Sequence, residues 1–170
     1  MADDELVDLV DEHDRVLGTV TRSEMRRSEA WHRAVYVMVL DRAGRVLLQQ
    51  RSFTKDLAPG AWDIGAGGVV SAGETYDDAA RRELAEELGV RDVVLEPLGV
   101  VRFEGSGLRL HGRVYLAVHD GPFTFDDGEV LRIEWVEADV VARVIAERPF
   151  VPDSPEVFLP LLATLRTRTR

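Results

Sequence analysis

The stretch from Gly68 to Val90 leaves little freedom in how it folds. Its second half carries a helical period: Ala80, Leu84 and Leu88 recur on one stripe. Glu83, Glu86 and Glu87 stand at i, i+3 and i+4 and share a face about 100° round the helix. Thr75 can cap the start, with Asp78 three residues on, and Asp77 and Asp78 suit the positive end of the helix dipole. Gly89 is placed to end it. A helix over Thr75–Leu88 is therefore expected, its apolar stripe lying on a sheet and its acidic face turned to a cleft.

Three carboxylates on adjacent turns repel one another, by about 3 kcal/mol per pair at roughly 6 Å and an effective dielectric near 20. Such a cluster raises its pKa values, spreads into water or binds a cation. Oxygen ligands on a rigid helix suit Mg²⁺ or Mn²⁺, which complete their shells with water and substrate phosphate. Spacing alone also fits a solvated helix face. The glycines just upstream (Gly65, Gly67, Gly68 and Gly73) add open backbone that can approach a metal or a phosphate. They form neither a P-loop nor a dinucleotide-binding fingerprint.

The chain has 170 residues, the size of one domain or of one domain with an appendage. No repeat or low-complexity segment divides it. It has no cysteine, which excludes disulfides, thiolate metal sites and thiol nucleophiles. Its net charge of −10 argues against non-specific binding to nucleic acid or a membrane surface. The longest apolar run, Ala34–Leu40, is too short to span a bilayer. The acidic start, Met1 to Glu5, is unlike a leader peptide, so the cytoplasm is the expected compartment.

Short strands are expected at Leu6–Val10 and Val16–Val20, then a helix near Arg22–Glu29. A hairpin of Arg33–Leu40 and Arg45–Gln50 follows, then a loop over Ser52–Gly60 and a glycine-interrupted strand at Trp62–Val70. After the acidic helix come strands near Val93–Phe103, Arg109–Val118 and Val130–Val136, and helices near Ala138–Glu147 and Pro155–Arg166. Strands outnumber helices and hairpin spacings recur, so the expectation is an α+β sandwich with a mixed β-sheet. Residues 1–30 read as an N-terminal hairpin-and-helix extension of the domain formed by residues 31–170.

The Gly68–Val90 stretch resembles the Nudix box, G-x5-E-x7-R-E-U-x-E-E-x-G-U, where U is a bulky aliphatic residue. It matches at all nine specified positions, Gly68, Glu74, Arg82, Glu83, Leu84, Glu86, Glu87, Gly89 and Val90. The strand order over most of residues 32–147 is similar to the Nudix fold, an α/β/α sandwich. The resemblance implies a hydrolase of nucleoside or other diphosphate derivatives that uses Mg²⁺ or Mn²⁺. It implies Glu83, Glu86 and Glu87 as metal ligands, one of them helping to activate water, with the Gly67 carbonyl as a further ligand. Arg82 and Glu74 would orient the helix. Family members often recruit another carboxylate from a later loop, for which Glu104 and Glu129 are the candidates.

The flanks, including Trp31-His32-Arg33, Leu48-Gln49-Gln50-Arg51 and Pro59-Gly60-Ala61-Trp62, are similar to the Nudix branch related to isopentenyl-diphosphate isomerase. That isomerase needs a cysteine and a histidine, which would fall near Gly67 and Val69, and this chain lacks both there. Only His32 matches the isomerase metal histidines. The implied activity is thus hydrolysis by an isomerase-like Nudix protein, on a small-molecule diphosphate such as a nucleotide. Arg51, Lys55 and Arg33 are candidates for binding its phosphates, and Trp62, Phe103, Tyr115 and Trp135 for stacking on a base. A non-catalytic ligand-binding module and a hydrolase of isoprenoid or other diphosphates stay open beside it.

Overall fold

The computed structural model describes residues 5–168, with side chains as far as Leu165. Residues 1–4 of the expected extension and 169–170 of the expected domain lie outside the described residues. Strands β1 (Leu6–Val10) and β2 (Val16–Thr21) pair antiparallel as a hairpin and lead into a short helix, α1 (Arg22–Arg27). Next come β3 (Trp31–Leu40), β4 (Val46–Arg51), β5 (Trp62–Ile64), β6 (Ala66–Val69) and the helix α2 (Tyr76–Leu88). The chain continues through β7 (Glu96–Gly105), β8 (Leu108–Val118), β9 (Val130–Val136), α3 (Val141–Glu147) and α4 (Ser154–Arg168). The architecture is the expected α+β sandwich: a mixed sheet of seven strands with α2 on one face and α3 and α4 on the other.

The run of apolar residues in β3 explains its central place. Val35, Val37 and Val39 pack towards α2, while Ala34, Tyr36 and Met38 pack towards α3 and α4. A strand apolar on both faces belongs in the middle of a covered sheet. It pairs in parallel with β8 along its whole length and antiparallel with β6 over Ala34–Val37. On α2, Thr75 Oγ1 accepts the Asp78 N–H at 3.1 Å, and Gly89 ends the helix in the left-handed region. Ala79, Ala80, Leu84 and Leu88 are buried against the sheet, and each of the two leucines contributes about 1.5–3 kcal/mol by leaving water.

Two local expectations change. The hairpin expected of β3 and β4 is paired only at its base, Leu40 with Val46; beyond it β4 turns away to pair with β5 and β9. Each strand has a partner of its own, because both are buried and neither edge can be left open. The strand expected over Trp62–Val70 is split at Gly65, whose φ of 66° sends β5 to β4 and β6 to β3. A Cβ at Gly65 would collide with the Val37 carbonyl, so only glycine lets the chain cross here.

The N-terminal hairpin is fastened to the loop that precedes α2. Val7 and Met25 pack on Val69, the Ala72 N–H donates to the Leu6 carbonyl at 2.8 Å, and the Ser71 hydroxyl donates to Glu5 at 2.8 Å. Among the described residues no helix is long and apolar enough to cross a membrane.

Candidate active site

A cleft of about 430 Å³ opens between the second half of α2, the β5–β6 crossing and α1. The acidic face of α2 forms one wall. Glu83 and Glu87 are buried, whereas the Glu86 side chain is half exposed. Glu87 Oε2 accepts from Gln49 Nε2 at 2.8 Å and from the Gly67 N–H at 3.2 Å, and Glu87 Oε1 lies 3.7 Å from Lys55 Nζ. A Cβ at Gly68 would overlap the Glu83 carboxylate, so a larger residue there would displace that group. Burial pushes the pKa of Glu83 up, and the neighbouring Glu87 charge adds to it. Burial raises Glu87 too, against the Lys55 ammonium and the Gln49 hydrogen bond.

Arg82 ties this wall together. It donates to both Glu74 oxygens at 2.9 and 3.0 Å, to Glu83 at 2.8 Å, to Glu86 at 3.2 Å and to the Val69 carbonyl at 3.1 Å. Those bonds, the ones to Glu74 first, raise its already high pKa, so the guanidinium is a fixed charge.

Apart from His32, the opposite wall was not legible in the sequence. Tyr36 donates to Asp153, whose Oδ1 is buried without a partner. Asp63 lies 3.9 Å from Arg51, and burial lifts its pKa to about 6. His32 is buried with Nδ1 3.0 Å from the Ala30 carbonyl, and burial holds its pKa down to about 4. Helix α1 adds Arg22 and Arg26. Leu57, Leu108, Leu110 and Val151 supply an apolar border.

Of the phosphate-binding candidates, Arg51 and Lys55 line the cleft. Arg51 donates to the Leu57 carbonyl at 3.0 and 3.2 Å, and Lys55 contacts Glu129, which also borders the cleft. Arg33 is not brought to it. The pleat of β3 turns it to the other face, where it donates to the Asp14 carboxylate at 2.6 Å and lies over the Tyr76 ring. Glu104 is also elsewhere, on β7 beside Arg109. Trp62, Phe103 and Tyr115 are buried, and Trp135 packs with Phe123 in the α2-side core, so none of the four offers a face to the cleft.

Among the described residues, no three His, Asp or Glu side chains already converge on a common metal position. The donor set nevertheless suits a hard cation: Glu83 and Glu86 line the cleft, the buried Glu87 stands beside Glu83, and the lysine ammonium 3.7 Å from Glu87 shows that positive charge is held there.

The NUDIX domain family model matches residues 30–159. A protein of Pseudomonas aeruginosa, described as an uncharacterized Nudix hydrolase, is 39% identical over 153 residues, 90% of each chain. YfcD of Escherichia coli K12, with the same description, is 38% identical over 154 residues, 91% of this chain and 84% of YfcD. The crystal structure of DR0079 from Deinococcus radiodurans superposes with a TM-score of 0.79 at 31% identity, over 90% of this chain and 96% of that one.

Proposed function

We propose, from the premise that this chain belongs to the Nudix family of hydrolases, that it is a divalent-metal-dependent pyrophosphohydrolase. Its substrate class is a nucleoside di- or triphosphate or a related nucleoside diphosphate derivative. The observation that carries this reading is the placing of Glu83 and Glu86 on one wall of a cleft that also holds Arg51 and Lys55, with the buried Glu87 beside Glu83. Glu83, Glu86 and Glu87, with the backbone at Gly67, would hold Mg²⁺ or Mn²⁺. Such an ion polarises a phosphoryl oxygen and lowers the pKa of an attacking water.

The rest follows from the chain itself. Arg82 aims Glu83 and Glu86, while Gln49 and the Gly67 N–H fix the rotamer of Glu87. Arg51 and Lys55 bind diphosphate oxygens. Glu129, beside Lys55, is the further carboxylate within reach of the cleft. Tyr36, Asp63 and Asp153 support a nucleoside over an isoprenoid tail. Hydroxyl or amino groups can donate to these acceptors, whereas a hydrocarbon would leave buried carboxylates unpaired. The N-terminal hairpin, His32 and the Pro59-Gly60-Ala61-Trp62 segment support a place in the isomerase-like branch, without the cysteine that isomerisation needs. The packing of Val7 and Met25 on Val69 supports reading residues 1–30 as part of one domain with residues 31–170.

The test is product release, with millimolar Mg²⁺ or with chelator, from nucleoside di- and triphosphates, nucleotide sugars, dinucleoside polyphosphates and isopentenyl diphosphate. Metal-dependent release of phosphate or a nucleotide from the nucleotide classes is expected. Cleavage of isopentenyl diphosphate alone would overturn the substrate class. Silence of the folded protein on every compound would overturn the enzyme reading in favour of a binding module.

A further inference from the structure

The cations that border the cleft differ in how far the protein satisfies them. Arg22 donates to both Asp56 oxygens at 3.1 and 3.3 Å and to Glu5 at 3.0 Å. Arg51 is held by the Leu57 carbonyl and Lys55 by Glu129. Arg26 is the exception. Its side chain is 22% exposed, and its Nε, shut off from solvent, faces Asp56 Oδ2 at 3.5 Å, longer than a normal hydrogen bond. Its nearest carboxylate, Asp56, stands 3.5 Å away with both oxygens already engaged by Arg22. Burial lowers the pKa of Arg26 against the pull of the Asp56 carboxylate, and the charge of Arg22 one turn away adds to the lowering. A guanidinium held largely out of water beside one distant carboxylate, itself shared with a second arginine, is stabilised by a further anion. It belongs to α1, outside residues 30–159 that match the family.

We infer that Arg26 is a substrate-binding residue supplied by the N-terminal extension, whose guanidinium receives a phosphate oxygen of the diphosphate in the cleft. This rests on reading the cleft as a diphosphate site. The planar fork suits a phosphate better than an ammonium would, because it can give two parallel N–H bonds. The extension is then one side of the substrate site as well as packing on the loop before α2. Diphosphate binding has a component that needs no metal, because Arg26 stands on the wall opposite the box glutamates.

The experiment uses the whole chain, treated with chelator and titrated with pyrophosphate, with the thermal midpoint as readout. The wild type is expected to show a saturable rise. Arg26→Gln should need at least tenfold more pyrophosphate for half the effect, without melting lower in the absence of ligand. Arg26→Lys, which keeps the charge but not the fork, should fall between the two. No response from the wild type, or a wild-type response from Arg26→Gln, would overturn the inference. Should Arg26→Gln not fold, Arg26→Lys carries the comparison, and a titration indistinguishable from wild type would count against it. Because no metal and no turnover enter this measurement, it can fail while metal-dependent hydrolysis stands, and hold where hydrolysis fails.

Discussion

Arg82 and Arg26 border the same cleft from opposite walls and are used in opposite ways. Arg82 spends its donors on Glu74, Glu83, Glu86 and the Val69 carbonyl. Arg26 has a single long contact, Nε to Asp56 Oδ2 at 3.5 Å, and shares that carboxylate with Arg22. A guanidinium whose protons all go to the fold sets the positions of other groups. One kept short of acceptors holds affinity in reserve for an anion that arrives later. The box wall is thus internally complete, and the α1 wall is complete only with a ligand.

The largest expected effect is on the box wall. Glu87→Gln keeps the shape and can still accept from Gln49 and Gly67, yet removes the charge. Turnover should fall by roughly 10²–10⁴-fold, in the range for loss of a group acting on the reacting atoms, with the thermal midpoint unchanged or raised. Steady-state kinetics beside a melting curve would check it, and unaltered turnover would move the chemistry off this helix. Arg82→Ala should mostly cost stability, about 2–4 kcal/mol, because it strands Glu83 beside Glu87 and frees Glu74. A urea titration reads that loss.

On the other wall the expected effects follow pH. His32 has a folded pKa of about 4, below its usual 6.5. Between those values the unfolded chain takes up a proton that the folded chain refuses, so this contribution is full above pH 6.5 and is lost as pH falls towards 4. The size is about 3 kcal/mol, and His32→Gln should flatten the acid limb of stability against pH by that much. Asp63 has the opposite sign. Its folded pKa of about 6 lies above the usual 3.8, so stability is lost as pH rises through that interval. Asp63→Asn should accordingly gain about 2–3 kcal/mol at pH 8 and little at pH 3. Smallest of all, Arg26→Gln should stay within about 0.5 kcal/mol of wild type without ligand; a loss as large as that of Arg82→Ala would erase the contrast between the two walls.

The box wall could be read from the sequence because its information is local. Glu83, Glu86 and Glu87 lie on one helix with a fixed period, with glycine on either side. The opposite wall is assembled from α1, the start of β3, β5 and the start of α4, each giving one or two polar residues with no spacing to reveal them. Asp63 and Asp153 are ninety positions apart in the chain, and only the packed sheet brings both to the cleft. Arg33 was a candidate for the phosphates beside Arg51 and Lys55, but it follows His32 on a strand, where neighbours point to opposite faces, and Asp14 of the hairpin holds it on the far side. The aromatic candidates failed for a similar reason: Trp62, Phe103 and Tyr115 have inward places on strands and went to the core.

Strand β3 has neighbours on both edges and helices over both faces. The amide protons of Val35 to Val37 therefore lack a small local opening through which solvent can reach them, and in D₂O they should exchange only when the whole molecule unfolds. The outer strand β7, paired among the described strands with β8 and largely exposed, should exchange far sooner. The exchange rate at the centre of β3 is in effect a reading of global stability, taken under native conditions and without denaturant.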